Sequence, residues 1–444
     1  MTLPKDLFLS GPLSQEDLAD NETRQSYLKQ VEFAEGGLRH LVDEDETALA
    51  LPAGTVGLEP HNDNFGLLDY QEDLVSQIVT LCAKNPPNNI GLVALPTGAG
   101  KTRTAVSAAL KLIESLSTTS ILWLAPSREL LEQAVGAFQA LWSLAGIRSV
   151  GIDLFRCHIL KQYPNPARAS VYFSTPQMLY QRLTKGKPKL PSWDLVIFDE
   201  AHLADAPTFR DALTLARELA GRLSPCFGLS ATPGRASEQG TDSLIGLFNR
   251  RLLTSKTLGK DAFAALRARG VLANVIFETI PIVVSDQLTH GDATVDIQRF
   301  RSTTSLCRSL SKAGRSTIVF SGSVRHAVAL SASLKRQGVS AAWVSGAMSV
   351  RERDRTLRAF EAGAFSVLVN KTLLATGYDC PAISNVVLTV PIKSAVLFEQ
   401  MVGRASRGPR VGGNEEATVW YFDDHIKWHG RPSSYQRYAL SGWR

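Results

Sequence analysis

A glycine-rich segment between an apolar run and a helical stretch constrains the fold of this chain more than any other feature. Residues 91–102 read GLVALPTGAGKT, with the core TGAGKT at 97–102. Glycines let a loop wrap around phosphate oxygens, so that backbone N–H groups and the helix N-terminus face the anion. The strict pattern has glycine at position 95, where this chain has Leu95. The strand–loop–helix context still predicts a phosphate-binding loop in an α/β domain.

The loop supplies the residues expected to bind a nucleoside triphosphate. We predict that the Lys101 ammonium reaches the β- and γ-phosphates and that the Thr102 hydroxyl helps to hold Mg²⁺. The expected cofactors are therefore ATP and Mg²⁺. The predicted nucleotide contacts within the loop are Thr97, Gly98, Ala99, Gly100, Lys101 and Thr102.

An acidic pair further along the chain complements the phosphate loop. Residues 194–205 read DLVIFDEAHLAD, and the composition of 195–198 predicts a buried strand. Asp199 and Glu200 then leave the carboxyl end of that strand, where ligands bind in parallel α/β sheets. We predict that Asp199 supports Mg²⁺ and that Glu200 activates the attacking water.

Short β-rich runs alternate with helical stretches in two separate parts of the chain. The alternation predicts parallel sheets with helices on both faces, so the fold class is α/β with two such domains in tandem. A helix is expected at 23–43, ahead of both domains. The predicted divisions are an N-terminal accessory segment and linker over 1–64, lobe one over 65–235, the edge of lobe one and the interlobe connection over 236–300, lobe two over 301–425, and a C-terminal tail over 426–444.

Composition and charge narrow the class of protein. The net charge of +6 and the pI near 9.0 fit nucleic-acid binding without establishing it. No apolar run approaches the ~20 residues that span a bilayer, and the acidic N-terminus is unlike a secretory signal. We therefore expect no membrane contact and a cytoplasmic location. The five scattered cysteines contain no CxxC pair, which argues against a zinc ribbon or iron–sulfur site.

Four segments, in this order, resemble the motifs of superfamily 2 helicases and translocases. They are LPTGAGKT at 95–102, DEAH at 199–202, LSATP at 229–233 and QMVGRASRGPR at 400–410. The resemblance covers about residues 65–425 and is strongest for DEAH-type motors among bacterial DNA-repair and restriction-type helicases. It implies two RecA-like domains and nucleic-acid-dependent ATP hydrolysis, with DNA favoured over RNA. A role in DNA repair or antiviral defence would follow.

The resemblance also implies roles for residues outside the phosphate loop. Gln71, in the segment LLDYQ, would contact the adenine edge, although Leu68 stands where the family has arginine. Coupling between the ATP site and the nucleic-acid site would involve His202, Ser230, Thr232 and Gln400.

Lobe two is expected to complete the ATP site with arginines. Gln400, Arg404 and Arg407 have spacings of four and three residues, which would place them on one face of a helix. Arginines without acids at those spacings need an anionic partner, and the γ-phosphate would be that partner if lobe two closed onto lobe one. The segment LLATGYDCP resembles a further family motif, in which Gly377 would bind the nucleotide and Asp379 would sense it or position an arginine.

Several residues at strand ends are predicted to contact nucleic acid. APSREL at 125–130 and STPQML at 174–179 each follow a strand, and hydroxyls at helix N-termini are typical phosphate contacts. Helix capping is the alternative role for these hydroxyls. The mixed-sign run RERDR at 351–355 is interpreted as solvated helix surface. The predicted nucleic-acid contacts are Pro126, Ser127, Arg128, Thr175, Pro176, Ser321 and Thr376.

The tail and the substrate leave alternatives open. Aromatic residues in the tail are interleaved with cations and could stack on bases, but packing of these aromatics on lobe two or on the N-terminal segment is the favoured interpretation. The alternatives to a DNA helicase or translocase are an RNA helicase and an ATP-switched motor or scaffold subunit. In the last case a protein partner would supply specificity.

Overall fold

The structure, a computed structural model, describes most of both lobes and one residue of the C-terminal tail. The helix expected at 23–43, Thr376 and tail residues 423–442 lie outside the described residues. The described residues are 56–58, 66–86, 88–115, 119–144, 151–156, 168–184, 192–204, 206–218, 223–234, 238–281, 292–375, 377–392, 394–422 and 443.

Lobe one contains a sheet flanked by helices. Its strands are β1 (Val56–Leu58), β2 (Ile90–Ala94), β3 (Ser120–Leu124), β4 (Ile152–Arg156), β5 (Ala169–Ser174), β6 (Leu195–Phe198), β7 (Cys226–Ser230) and β8 (Leu252–Leu253). They are ordered β1-β4-β5-β3-β6-β7-β2-β8, and each neighbouring pair is parallel except β1 with β4. Its helices are α1 (Asp69–Cys82), α2 (Lys101–Ser115), α3 (Arg128–Leu144), α4 (Pro176–Thr184), α5 (Pro207–Glu218), α6 (Glu238–Leu247) and α7 (Ala262–Ala268).

Lobe two repeats the architecture with a parallel sheet. Its strands are β9 (Asn274–Thr279), β10 (Thr317–Phe320), β11 (Ala341–Val344), β12 (Val367–Asn370), β13 (Asn385–Leu388) and β14 (Glu416–Tyr421), and its helices are α8 (Asp292–Lys312), α9 (Val324–Arg336), α10 (Val350–Glu361) and α11 (Ala395–Val402). The strand order is β11-β12-β10-β13-β14-β9. The predicted fold, two parallel α/β domains in tandem, is confirmed. None of the helices in the described parts of the chain is long and apolar enough to cross a membrane.

The strands are buried on both faces, which explains why they are continuous apolar runs. Successive side chains of a strand point to opposite faces of a sheet. In β2, Val93 therefore belongs to the apolar core on one face while Leu92 belongs to the core on the other. Ile197 and Phe198 of β6 divide in the same way. This pattern is typical of parallel sheets that are covered by helices on both sides.

The described residues of the segment 236–300 are divided between the two lobes and do not form a single interlobe connection. Its first part, with β8 and α7, lies at the edge of lobe one as predicted. However, β9 pairs with β14 along its full length, and α8 continues past the predicted start of lobe two at 301. The predicted boundary is therefore wrong from residue 274 onward. An apolar run shows that a strand will form, but it does not show which sheet edge the strand will join.

The tail residue Trp443 lies against lobe one. Its ring packs on one of the two apolar cores of that lobe, and its indole Nε1 donates to the Pro233 carbonyl oxygen at 3.1 Å. The prediction that the tail aromatics pack on lobe two or on the N-terminal segment is wrong for this residue. The Pro233 carbonyl offers the acceptor that a partly buried indole N–H requires.

The strand order brings three of the predicted motifs to one edge of lobe one. The phosphate loop follows β2, the acidic pair follows β6, and LSATP ends with the turn after β7. Because β6, β7 and β2 are adjacent and parallel, these three loops leave the sheet side by side.

Gly228 in β7 allows the short helical turn after Glu200 to pack closely, which gives a first prediction. A Cβ at this position would lie 2.6 Å from both the Ala201 Cβ and a Phe248 ring carbon. We expect Gly228→Ala to lower the free energy of unfolding by about 1–3 kcal/mol, measured by urea denaturation. Gly136→Ala is the control, because Gly136 lies in α3 with open space around it, and this change should raise stability by about 0.5–1 kcal/mol. Equal stability of both variants would contradict the packing argument.

Candidate active site

The phosphate loop has the backbone conformation that its glycines predict. Gly98 and Gly100 have φ values of 93° and 82°, in the region that side chains disfavour. Both glycines also face close neighbours: a Cβ would lie 2.6 Å from an Arg407 nitrogen at Gly98, and 2.5 Å from the Gln71 amide at Gly100. The helix α2 begins at Lys101, so its N-terminus faces the space enclosed by the loop.

Residues Tyr70 and Gln71 of α1 support the loop from outside. The Tyr70 hydroxyl donates to the Ala99 carbonyl oxygen at 2.9 Å, and the Gln71 Nε2 donates to the same oxygen at 3.4 Å. The Gln71 Oε1 accepts from the Leu68 backbone N–H at 3.1 Å. Both polar atoms of the buried Gln71 side chain are thus engaged within lobe one. Gln71 thus braces the loop, and its contact with adenine stays a prediction.

The acidic pair adopts a strained geometry after β6. Glu200 has φ 50° and ψ 47°, a left-handed conformation that is rare for a residue with a side chain. Such a residue costs on the order of 1–3 kcal/mol and is typical of functional sites. Its N–H donates to the Asp199 Oδ1 at 2.9 Å, and both side chains are buried. The strained turn aims the two carboxylates into the space beside the phosphate loop.

The buried charges of the site shift one another's pKa values. Burial, and then the Glu200 charge, raise the pKa of Asp199. Burial would also raise the pKa of Glu200, but the His202 hydrogen bond and the charges of His202, Lys101 and Arg404 outweigh it and lower that pKa. Burial lowers the pKa of Lys101, while the Glu200 and Asp199 carboxylates oppose that change. Glu200 is therefore held ionised, as a general base requires.

The residues predicted to hold Mg²⁺ fit that ion. Asp199 is a buried carboxylate beside a second carboxylate, and its raised pKa marks a negative charge that a cation would stabilise. Thr102 lies in the first turn of α2 and offers a hydroxyl oxygen. Mg²⁺ is bound by few protein oxygens when phosphates and waters complete its shell. The described residues contain no cluster of three or more His, Cys, Asp or Glu side chains arranged as metal ligands.

The predicted coupling residues form one connected chain. The Glu200 carboxylate lies 3.3 Å from the His202 Nδ1, which lies 3.5 Å from the Ser230 hydroxyl. That hydroxyl donates to the Thr232 carbonyl oxygen at 2.8 Å and accepts from the Thr232 N–H at 3.0 Å. From lobe two, the Gln400 Nε2 donates to the same Glu200 Oε2 at 3.5 Å. The carboxylate of Glu200 is thus contacted from both lobes.

The arginines of lobe two do not share a helix face with Gln400. The helix α11 ends at Val402, with Gly403 as its cap, so Arg404 and Arg407 lie in the turn that follows. The reason is contact with the phosphate loop: a Cβ on Gly403 would overlap the Thr97 side chain. Ending the helix here lets the backbone of lobe two approach the loop directly.

Both arginines are nevertheless held at the site. The Arg404 guanidinium donates to the Tyr378 and Gln400 carbonyl oxygens, and burial lowers its pKa to about 10. The Arg407 Nε and Nη2 lie 2.9 and 2.8 Å from the Asp379 Oδ1, so an acid does accompany this arginine. Asp379 thereby orients Arg407, whose Nη1 lies beside Gly98. The spacing of the arginines does not include this acid, but the resemblance of LLATGYDCP to a family motif implied that Asp379 could position an arginine.

A second contact joins the lobes away from the phosphate loop. Arg353 of α10 is buried, and its Nη2 lies 2.9 Å from the Glu129 Oε1 at the start of α3. Leu130, which follows Glu129 in the chain, packs closely against Gly377 of lobe two, whose φ is 73°. The interpretation of RERDR as solvated surface is therefore wrong for Arg353. Mixed charge predicts solvation only when no oppositely charged surface faces the helix.

The residues predicted to contact nucleic acid have mixed environments. The Ser127 and Thr175 hydroxyls accept from backbone N–H groups of Leu130 and Met178, at 3.4 and 3.3 Å, and so cap α3 and α4. Ser321 is only 3% exposed, and its hydroxyl is bonded within lobe two, which does not support a contact with nucleic acid. Three other predicted contacts lie at the starts of α3 and α4. Arg128 is exposed, Pro126 is partly buried and Pro176 is buried.

Comparison with known proteins identifies the family. The family model described as "Type III restriction enzyme, res subunit" matches residues 64–235, and "Helicase conserved C-terminal domain" matches 299–408. This chain belongs to the superfamily 2 helicases. Within that superfamily, the two matches correspond to lobe one and to most of lobe two.

Individual relatives are distant and mostly longer. The Saccharomyces cerevisiae protein IRC3, provisionally named an ATP-dependent helicase, is 26% identical over 77% of this chain, which spans 49% of that protein. The Escherichia coli type I restriction enzyme EcoKI endonuclease subunit is 24% identical over 78% of this chain, which spans 34% of that subunit. The matched part of the chain thus spans about half or less of the length of these relatives.

Solved structures share the fold. Saccharomyces cerevisiae Dbp5 bound to RNA and ADP BeF3 has a TM-score of 0.58 at 20% identity, covering 81% of this chain and 85% of that one. The type ISP restriction-modification enzyme LlaBIII bound to DNA has a TM-score of 0.56 at 17% identity, covering 80% and 28%. At these identities the similarity establishes the tandem α/β architecture alone.

The close approach of Gly403 to the phosphate loop gives a second prediction. Gly403→Ala adds a methyl group where Thr97 lies, whereas the backbone at φ −59° accepts alanine without strain. We expect turnover of ATP to fall by about tenfold to a hundredfold because lobe two stands away from the loop. Steady-state ATPase assays measure this loss, and urea denaturation should show little change. Gly136→Ala serves as the control, and full activity of Gly403→Ala would contradict the assigned contact.

The Glu129–Arg353 ion pair gives a third prediction. Arg353→Met keeps most of the apolar stem but removes the charge that faces lobe one. A partly buried pair of this kind has a coupling on the order of 1 kcal/mol, so stimulated ATP turnover should fall about fivefold. The exchanged pair, Glu129→Arg with Arg353→Glu, should recover part of that loss. If the separate effects of Glu129→Arg and Arg353→Glu on turnover simply add up in the exchanged pair, the ion pair does not stabilise closure.

Proposed function

We propose that this superfamily 2 ATPase hydrolyses ATP in response to nucleic acid and acts as a DNA helicase or translocase. The observation that carries the proposal is the position of Glu200. Its carboxylate is contacted by His202 of lobe one and by Gln400 of lobe two. A general base that depends on both lobes is active only when the lobes are together. Binding that favours closure therefore controls hydrolysis.

The proposed chemistry follows from the charges at the site. Glu200, held ionised, accepts a proton from the attacking water. Lys101 and the loop N–H groups stabilise the phosphate oxygens from lobe one, and Arg404 and Arg407 stabilise the transferring phosphoryl group from lobe two. Mg²⁺ held by Asp199 and Thr102 would neutralise further phosphate charge when bound. Loss of the γ-phosphate removes the anion that both lobes share, and the lobes then separate.

Support for DNA as the substrate comes from the relatives. The model that matches lobe one is named for a restriction enzyme, and the EcoKI subunit and LlaBIII are restriction proteins, LlaBIII bound to DNA. The net charge of +6 is compatible with a polyanionic partner. RNA is the competing substrate, because the mouse RNA helicase DDX54 is 27% identical over 71% of this chain. DNA repair or antiviral defence in the cytoplasm is the proposed setting.

A protein partner forms part of the proposal. The matched relative EcoKI is named an endonuclease subunit, that is, one member of a larger enzyme. We infer that a partner supplies substrate specificity, with this chain as the motor. An ATP-controlled switch without translocation is the second candidate.

The test compares ATP turnover with single-stranded DNA, duplex DNA and RNA of equal length and sequence. We expect DNA to contact both lobes and so to favour closure. DNA should therefore stimulate turnover at least about tenfold more than RNA. A preference for RNA would overturn the assignment of DNA. Tight ATP binding without stimulated turnover by any of the three would favour the switch. Strand displacement from a partial duplex then separates unwinding from translocation.

Lys101→Ala and Glu200→Gln give a fourth prediction. Each should abolish stimulated turnover, because one removes the phosphate-binding cation and the other removes the base. Glu200→Gln should still bind ATP, which fluorescence of a labelled analogue would measure. Lys111→Ala, an exposed site on the same helix α2, is the matched control and should keep normal turnover. Near-normal ATPase activity in either site variant would refute the assignment of the site.

A further inference from the structure

Trp443 makes a contact that the ATP site and its family motifs do not explain. It belongs to the tail beyond β14, the last strand of lobe two, yet it lies on lobe one. Its indole Nε1 donates to the Pro233 carbonyl oxygen at 3.1 Å. A residue that follows lobe two thus returns to the turn at the end of LSATP.

The turn that Trp443 contacts is connected to the catalytic base. Pro233 directly follows Thr232, whose N–H and carbonyl oxygen both bond to the Ser230 hydroxyl. That hydroxyl lies 3.5 Å from His202, which contacts Glu200. Pro233 itself lacks a backbone N–H, so its carbonyl oxygen is its only backbone group able to form a hydrogen bond. The indole bond is therefore placed to fix the orientation of the Pro233–Gly234 peptide, at the end of the turn that Ser230 and Thr232 form.

The ring of Trp443 makes a second contact with lobe one. It packs against the apolar core that contains Phe198, Ala201 and Phe248. Ala201 directly follows the strained Glu200, and the glycine at 228 lets Ala201 and Phe248 approach β7 closely. Trp443 thus packs its ring on the apolar core to which Ala201 belongs, and its N–H bonds to the end of LSATP.

We propose that Trp443 is a positioning residue for hydrolysis. It holds the Ser230–Pro233 turn in its position relative to the His202 and Glu200 side chains. The inference rests on the proposed nucleic-acid-dependent ATPase. Trp443 does not touch the phosphate loop or the lobe-two arginines in the described structure. Its loss should therefore lower the rate of the chemical step without weakening ATP binding.

The test compares Trp443→Phe with Trp420→Phe. Each variant loses one indole hydrogen bond, but in a different lobe. Trp443→Phe keeps an aromatic ring but removes the bond to Pro233. Trp420→Phe is the matched control, because the Trp420 indole donates at 2.9 Å to the Asn385 side chain in lobe two, away from LSATP. One neutral hydrogen bond corresponds to about a fivefold effect, so Trp443→Phe should lower stimulated kcat by about fivefold with an unchanged KM for ATP. Trp420→Phe should leave both constants unchanged.

Hydrogen exchange provides a second readout that does not depend on turnover. The Thr232 N–H bonds to Ser230, so loss of the Trp443 bond should raise its exchange rate by about fivefold. Amides of the β2 strand, deep in the same sheet, should keep their protection in both variants, which shows that the lobe stays folded. If the wild-type chain shows no stimulated turnover, the proposed function fails, but the exchange experiment still decides the role of Trp443.

Three outcomes would overturn the inference. One is an unchanged kcat together with unchanged Thr232 exchange in Trp443→Phe. Another is a loss of kcat that Trp420→Phe reproduces, since the effect would then be a general one. A rise in KM for ATP without a change in kcat would also contradict it, because the proposed route does not include the nucleotide contacts.

Discussion

Buried charge at the meeting of the two lobes is the constraint on which the rest of the structure depends. Lys101, Asp199 and Glu200 are brought together by lobe one, and Arg404 and Arg407 reach the same space from lobe two. An isolated buried charge is costly, and part of its compensation crosses between the lobes, because Arg404 lowers the pKa of Glu200 and Gln400 donates to its carboxylate. Phosphate groups of ATP would add the negative charge that the lysine and the arginines attract. On the proposed function, this need to compensate buried charge couples nucleotide binding to lobe closure.

Close backbone approach is the second requirement, and glycines at three junctions meet it. Gly228 admits the turn that carries Glu200, Gly98 admits the Arg407 guanidinium, and Gly403 admits the Thr97 side chain. Of these, only Gly98 has a positive φ, so the other two are needed for space and not for backbone conformation. A rigid α/β sheet positions the loops, and small residues let them meet.

The sequence predicted the chemistry of each loop better than the contacts between loops. The phosphate loop, the acidic pair and their places after β2 and β6 follow from local patterns, because strand ends and glycines act over a few residues. The lobe of β9 could not be predicted in this way, because it depends on which distant segments meet. A role for Asp379 in positioning an arginine was implied by the family motif, and the structure pairs Asp379 with Arg407. The helix predicted through Arg404 ends at Val402 because lobe one faces it there.

The same reasoning explains which functional residues the sequence missed. Arg353 looked like one charge in a solvated run, and only the position of Glu129 on the facing lobe makes it a contact. Gln71, predicted from the motif to contact adenine, donates to the Ala99 carbonyl oxygen, a contact that the motif does not indicate. A pattern of residue types indicates what a side chain can do, whereas its neighbours decide which of those roles it performs.

The distance between the lobes is the most direct test of the central claim that closure completes the ATP site. Fluorophores on cysteines introduced at Glu114 of α2 and Lys335 of α9, both exposed, would report it by energy transfer in a chain with Cys157 replaced by serine. With nucleic acid and a non-hydrolysable ATP analogue, we expect a high-transfer state that ADP reverses and Arg407→Ala abolishes. Equal transfer with ATP analogue, with ADP and without nucleotide would contradict it.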